Sequence, residues 1–396
     1  MTHIDKFKAR LDDIQRLADV LDRHKPDLME AAAYDAGFPV KITSTEVELS
    51  VDHLRTMDKE IPWVKNGRAY GTVATIFPYD APTVMLARLG GAALLTGNLL
   101  RFSLSSQTPR SASVLAEICK PFPSIQPVVG MDNREFGRRC VADKVVRLFF
   151  ISGASAVGEV YRKQFTSFDK LFFAGPGGMP AAIVFEDADP AAAASFIARR
   201  AFINAGQYCT TLKKAYIHQR LYENVRKDIL ERVKGLKVGD AFDPKTDIGP
   251  IRVKRTRNIL QDALEKCRPA HVVTGSISGE TVFPLVLETE NTGIPDLELF
   301  GPFLLLKPFS DPDDAAGELV KTRYGFLLSF FGSVSEKITS LFYSHFGMVH
   351  DNPDFTFTPL RLPFGGKKAS GWILERKGNH WNERDGAFIY SKELAT

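Results

Sequence analysis

The chain carries four cysteines, at positions 119, 140, 209 and 267. Cys209 has the most suggestive surroundings, the run Asn204-Ala205-Gly206-Gln207-Tyr208-Cys209-Thr210. A thiol with an ordinary pKa of about 8.5 is easily pushed toward thiolate, so cysteine outperforms serine as a nucleophile on a carbonyl carbon. Taken alone, Cys209 reads more readily as a small core hydrophobe. The cysteines show no CxxC spacing and no neighbouring histidine pair. Neither a zinc site, an iron–sulfur site nor a disulfide framework is therefore expected. Two glycine-rich turns stand out. Ile151-Ser152-Gly153-Ala154-Ser155-Ala156-Val157-Gly158 follows an apolar strand and opens a helix, where backbone N–H groups could hold a pyrophosphate. Phe364-Gly365-Gly366-Lys367-Lys368 is, in its plainest reading, a tight permissive loop.

These groups need a frame, and the hydrophobic pattern supplies one. From Phe7 to about Lys59 apolar residues recur at helical spacing, with Leu11, Ile14, Leu17 and Leu21 and then Leu28, Ala31 and Ala32. A break at Gly37-Phe38-Pro39 separates two helices, and Ser44 is placed to cap a third. From Gly71 short apolar runs alternate with amphipathic stretches. Strands are predicted at Thr72–Phe77, Leu99–Leu104, Gln126–Val129, Val145–Ile151, Ala181–Phe185 and Lys214–His218. Helices are predicted from about Pro82, Pro109, Ser155, Pro190 and Leu221. That alternation predicts an α/β fold with doubly wound parallel sheets, which bind ligands where strand ends turn into helices.

Composition excludes several classes. The 396 residues are 44% hydrophobic and 25% charged, ordinary for a globular protein of two domains. The net charge of +4 comes from 51 basic and 47 acidic side chains without a basic arm, so neither nucleic acid nor a membrane surface is implied. The apolar window Ala81 to Leu100 is interrupted by Arg88 and by glycines, and reads as a buried helix rather than a membrane span. The N-terminus is polar, unlike a secretory signal, so a cytoplasmic location is expected.

Four segments in order turn these fragments into a resemblance. The Asn204–Thr210 run is similar to the nucleophile segment of the aldehyde dehydrogenase superfamily, and Ile151–Gly158 to its cofactor turn. Leu297-Glu298-Leu299-Phe300-Gly301-Pro302 and Pro363-Phe364-Gly365-Gly366-Lys367-Lys368-Ala369-Ser370-Gly371 resemble its two later signatures. The resemblance covers nearly the whole chain from about residue 10. It implies a doubly wound, parallel-sheet cofactor domain over residues 1–177 and an α/β catalytic domain with Cys209 over 178–369. A C-terminal segment over 370–396 would carry a reduced oligomerisation extension. It implies NAD or NADP as cofactor, an aldehyde as substrate, and a thiohemiacetal and then a thioester on Cys209. Among the cofactor-binding residues it implies are Phe77, Tyr79, Gly153, Ala154 and Val157. Glu298 matches the residue that holds the nicotinamide ribose, and Phe300 the one beside the nicotinamide.

The chain departs from the family pattern at several working positions. Pro78-Tyr79-Asp80 stands where the family usually has Pro-Trp-Asn, whose amide donates to the developing oxyanion. An ionised Asp80 would repel that charge; it could serve if protonated, or by meeting another substrate group. The sequence slightly favours a plainer role, Asp80 as N-cap of the helix starting near Ala81. Gly175 lies 34 residues before Cys209, at the position of the family's glutamate base, and cannot take a proton. Glu375 matches a second family carboxylate and is the candidate substitute. Ser103 and Ser106 replace the lysine and glutamate that hold the adenosine ribose, and Arg101 shares the strand face of Ser103. Losing the glutamate removes repulsion against a 2′-phosphate, so NADP is slightly favoured; alternatively Arg101 faces solvent. Ala154 replaces a phosphate-binding serine.

Three activities follow as expectations. The first is NAD(P)-dependent aldehyde oxidation. The second is an acylating reaction or thioester reduction, with coenzyme A or a carrier thiol taking the acyl group, which needs no hydrolytic base. The third is a scaffold with a decayed site. Residues 62–71 are too short for the bridging hairpin that pairs subunits, while a C-terminal strand is expected at 387–392. A dimer or monomer is therefore expected rather than a tetramer.

Overall fold

A computed structural model of the chain describes residues 3–175, 177–267, 270–290 and 296–396. Three helices open it: α1 (His3–Arg23), α2 (Lys25–Ala36) and α3 (Val40–Arg55). The periodic residues Ile14, Leu17, Leu21 and Leu28 are buried as their spacing predicts. Helix α2 stops at Gly37, which adopts φ +77° and returns its N–H to Ala33 O. A Cβ there would lie 1.9 Å from Pro250 O, so only glycine lets this corner approach the distant loop. Helix α3 starts at Val40, which puts Ser44 inside it rather than at its cap. A short helix, α4 (Ile61–Val64), leads to the first sheet.

That sheet contains β1 (Thr72–Ile76), β2 (Leu99–Ser103), β3 (Ile125–Val128), β4 (Val146–Ser152) and β5 (Lys170–Ala174), all parallel. The connecting helices are α5 (Pro82–Met85), α6 (Gly91–Thr96), α7 (Pro109–Cys119), α8 (Asn133–Ala142) and α9 (Ser155–Arg162). Residues Leu86–Gly90 widen the chain between α5 and α6 into a π turn, a distortion often found at functional sites. The strand order runs β3-β2-β1-β4-β5. Connections leave in opposite directions on either side of β1 and β4, so the crevice beyond these two strands is the switch point.

The second sheet uses β6 (Ala181–Val184), β7 (Lys214–His218) and β8 (His271–Thr274). After the two-residue pair β9 (Ile277–Ser278) and β10 (Thr281–Val282) come β11 (Leu285–Glu288), β12 (Phe303–Phe309), β14 (Leu327–Phe331) and β15 (Met348–Asp351). Its order is β15-β14-β6-β7-β12-β11-β8. Between its strands run α10 (Pro190–Phe202), α11 (Gln219–Lys234) and α12 (Lys254–Lys266), while β13 (Tyr324–Gly325) pairs with β16 (Lys367–Lys368). The doubly wound α/β expectation holds in both sheets, and each of the six expected strands forms.

Two expectations about the end of the chain change. Residues 371–377 and 380–384 form β17 and β18, which extend the first sheet, β17 antiparallel to β5 and β18 antiparallel to β17. The expected strand at 387–392 is instead a bridge at Phe388 followed by a short helix at Tyr390–Glu393. Phe388, Tyr390 and Leu394 are buried in the same subunit's core. The Phe388 and Tyr390 rings pack instead against Phe150, and Phe388 also against Phe172.

Candidate active site

Cys209 sits in a strained turn between α10 and β7. Asn204, Ala205 and Gly206 take φ values of 49°, 51° and 65° in succession, which costs roughly 1–2 kcal/mol for each residue with a Cβ. The amide atoms of Asn204 and Gln207 are buried without partners. Such a turn persists only where its surroundings fix it. Tyr208 O accepts from Thr211 Oγ1 at 2.7 Å. On the far side, Thr210 O accepts from the buried Arg200 guanidinium at 2.8 Å.

Asp80 faces Cys209. Its buried carboxyl lies near enough to the Cys209 backbone N–H to be pulled down by it, while Ala81, without a side-chain cap, occupies the cap position of α5. The capping reading of Asp80 is thus corrected: the helix begins one residue too late for it. Burial pushes the Asp80 carboxyl up to about 6, against the pull of the backbone N–H groups of Asp80 and Cys209. Burial and the charge of Asp80 both push the Cys209 thiol well up, while Arg88 and Arg200 pull it down.

Three groups missed in the sequence complete this environment. Glu46 on α3 is buried and accepts from Tyr208 Oη at 2.7 Å. Arg88, in the π turn, is buried over the rings of Phe364 (4.8 Å) and Tyr390 (5.6 Å), with its Nε unpartnered. Beside it a small cavity is lined by His53, Glu60, Arg361 and Tyr390. Arg361 pairs with Glu60 at 3.2 Å, and burial lowers His53 to about 3, so its ring is neutral. The only sequence signal was Thr43, Glu46, Ser50 and His53 recurring along one side of α3, a polar stripe inside a buried helix.

Gly175 ends β5, with its N–H donating to Ser370 O at 2.9 Å. A Cβ there would stand 3.0 Å from both Ala369 O and Ser370 Cα. A side chain there would require this backbone to give by a few tenths of an ångström. Gly175→Glu is expected to cost ~2 kcal/mol of stability by overpacking and to bring no hydrolytic turnover, as thermal melts and product assays would report. Glu375 is not brought to the thiol either. It lies on β17 opposite Lys170, four residues along β5 from Ala174. Burial opposes its ionisation, but Lys170 at 2.9 Å outweighs that and holds its carboxyl below the ordinary range. Tyr70 also approaches it at 3.4 Å.

On the cofactor side, Gly153 and Ala154 lie at the end of β4, with open space above Gly153. The N-terminus of α9 already holds an anion: the Glu298 carboxylate accepts from Ser155 N–H (3.2 Å) and Ser155 Oγ (2.6 Å). A phosphate would use the same donors once this carboxylate moved aside. Tyr79 bonds Thr256 (3.0 Å) and lies near Phe300, 6.4 Å between ring centroids. Val157 and Ser106 are exposed. Phe77, expected at the cofactor, is a core residue stacked on Phe102 at 4.4 Å. Ser103 is also fully buried and donates to Asn133 at 2.5 Å. Arg101 pairs with Asp143 at 2.8 Å rather than standing free.

The two wound sheets and the thiol turn define a two-domain α/β protein built around a candidate cysteine nucleophile. The sequence profile of the aldehyde dehydrogenase family matches residues 5–384, and the chain belongs to that family. A probable succinate-semialdehyde dehydrogenase [NADP(+)] of Sinorhizobium fredii is 28% identical, over 96% of this chain and 82% of the relative. A 3-sulfolactaldehyde dehydrogenase of Priestia aryabhattai is 26% identical, over 91% of this chain and 81% of the relative. The crystal structure of an aldehyde dehydrogenase from Brucella melitensis biovar abortus superposes with a TM-score of 0.85 at 23% identity, covering 98% of this chain and 83% of that one.

Proposed function

We propose that the protein oxidises an anionic aldehyde with NAD(P), with Cys209 as nucleophile and Asp80 as the group that moves its proton. The observation that carries this reading is the buried Asp80 carboxyl beside the Cys209 turn, close enough for each group to act on the other's proton affinity. With its pKa near 6, Asp80 is suited to proton transfer close to neutral pH. Its carboxylate takes the thiol proton while Sγ adds to the aldehyde carbon and the carbonyl π pair moves to oxygen. The acid so formed keeps that proton while the oxyanion persists, and gives it up to solvent once the adduct has been oxidised. While Asp80 is neutral, the Cys209 N–H is free to stabilise that oxyanion. Bound NAD(P) would supply the hydride acceptor that oxidation of the adduct carbon requires. Gly153, Ser155 and Glu298 are the residues that would hold it. Asp80, ionised again, then takes a proton from the attacking water, and Sγ leaves and receives it.

The substrate class rests on Arg88. It is a buried cation with a free donor, close enough to Cys209 to act on its charge. The named substrates of the two relatives, succinate semialdehyde and 3-sulfolactaldehyde, both carry an anionic group. NADP is favoured over NAD, in line with the relative named for it and with Ser106 in place of a carboxylate. The free cysteines fit a reducing cytoplasm, and no helix among the described residues is long and apolar enough to cross a membrane. Because residues 387–392 are folded into their own subunit, a dimer or monomer is the assembly we favour.

The test is an aldehyde panel, neutral and anionic, with NAD or NADP and with or without coenzyme A. Reduced cofactor should appear with anionic aldehydes and no added thiol. Turnover only with coenzyme A would replace hydrolysis by acyl transfer, and absence of both turnover and Cys209 labelling would end the enzymatic reading. Arg88→Met should raise KM for an anionic aldehyde about 10–100-fold, the value of one charge-assisted contact, and leave neutral aldehydes nearly unchanged.

A further inference from the structure

We propose that Lys213 is a positioning residue that holds the nucleophile turn in register with the loop carrying Glu298, an inference that rests on Cys209 being the nucleophile. Lys213 is fully buried among the strands of the second domain. Its ammonium donates to two backbone carbonyls, Gly206 O at 2.7 Å and Gly301 O at 2.6 Å. Among the described residues no carboxylate bonds it or pairs with it, and burial alone drives its pKa well down. A lysine buried this deeply is costly to retain for packing alone, since a methionine would fill the same volume without desolvating an amine.

Its two acceptors belong to the two segments the chemistry must align. Gly206 lies three residues before Cys209, at the end of the left-handed run that begins at Asn204. Gly301 lies three residues after Glu298, the residue now holding Ser155 at the α9 N-terminus. Gly206 O is the point where the turn is held: it accepts from Gly301 N at 2.9 Å, Thr211 Oγ1 at 3.0 Å and Lys213 Nζ. A Cβ on Gly206 would meet Gly301 O at 2.0 Å and Lys213 Nζ at 2.9 Å, so the two loops and the amine form one tight contact. With Asn204 and Gln207 offering no side-chain bonds of their own, these donors oppose relaxation of the strained turn.

The experiment pairs Cys209 alkylation by iodoacetamide with steady-state turnover, at a temperature below the melting transition of each variant. Lys213→Met is expected to speed Cys209 alkylation at least fivefold as the turn loosens, while kcat falls tenfold or more. Thr211→Val removes a second donor to the same carbonyl without disturbing the amine, and should move both quantities the same way by two- to threefold. It stands in if Lys213→Met does not fold. A purely structural lysine predicts unchanged alkylation of the folded protein and lost activity only in proportion to lost folded protein; that result would overturn the proposal. Alkylation needs no cofactor or substrate. Faster labelling of the variants, alongside a wild type that turns over no aldehyde, would therefore uphold the positioning role while the proposed activity fails.

Discussion

Asp80→Asn is expected to lower kcat about 100-fold and to flatten its pH profile, since general-base assistance of this kind is worth roughly 10²–10⁴-fold. In the wild type, the rate should rise as Asp80 ionises through about pH 6, because only the carboxylate can accept the thiol or water proton. An asparagine keeps the shape, cannot titrate, and offers an amide donor in the place where the family resemblance expects one. The two roles assigned to this position therefore make opposite predictions. If the position works chiefly as an oxyanion donor, the amide should help, by up to ~3 kcal/mol of transition-state stabilisation, and the variant should outrun the wild type. A pH series of kcat for both proteins, from mildly acidic to mildly alkaline, separates these outcomes. A faster variant would remove Asp80 as base.

The frame of this site was legible because parallel sheets write themselves locally. Runs such as Val146–Ser152 are apolar on both faces, and each is followed by a helix start such as Ser155 or Pro190. Strand β5 is not evident in the sequence because Lys170–Ala174 is short and begins with a lysine, whose burial is explained by Glu375 and Glu393 from the far end of the chain. The thiol turn was legible as a run of residue types, but its geometry was not. The sequence offered Asp80 a local partner in the helix after it, whereas its actual neighbour, the Cys209 N–H, lies 129 residues on. Glu46, Arg88 and Lys213 escaped for the same reason. A charged residue is by default solvated, and only tertiary packing makes these three buried, Lys213 against the Gly206 and Gly301 carbonyls. That Gly175 cannot take a proton follows from its type alone, while the contact that crowds a side chain there, Ser370, comes from the far end of the chain.

Glu46→Gln carries the largest expected effect on stability, and its sign follows from burial. The Glu46 carboxyl is pushed up from its ordinary range to about 8 by burial first, with Tyr208 Oη pulling it down and the charge of Asp80 adding to the rise. The native state thus holds this proton more tightly than the unfolded chain does. Such a group contributes stability fully present below its ordinary pKa, about 4.5, and lost as pH rises through about 8. The stake is on the order of a few kcal/mol, since each tenfold difference in proton affinity between the two states corresponds to about 1.4 kcal/mol. Glutamine preserves the acceptor for Tyr208 Oη and cannot ionise. Below pH ~4.5, where both native and unfolded chains hold the proton, the two proteins should melt at nearly the same temperature, and the wild type should fall progressively behind as pH rises from there. Above pH ~8 the variant should melt several degrees higher, because the wild type must then either bury a carboxylate beside Asp80 or unfold. Melting curves that stay parallel across this range would mean that Glu46 is stabilised as a carboxylate by a neighbour not accounted for. The same variant bears on catalysis. The Asp80 inflection near pH 6 should stay in place, because Glu46 is still neutral there and carries no charge to remove. A shift of that inflection on Glu46→Gln would show instead that the two carboxyls share a proton, and that the base at Cys209 is the pair.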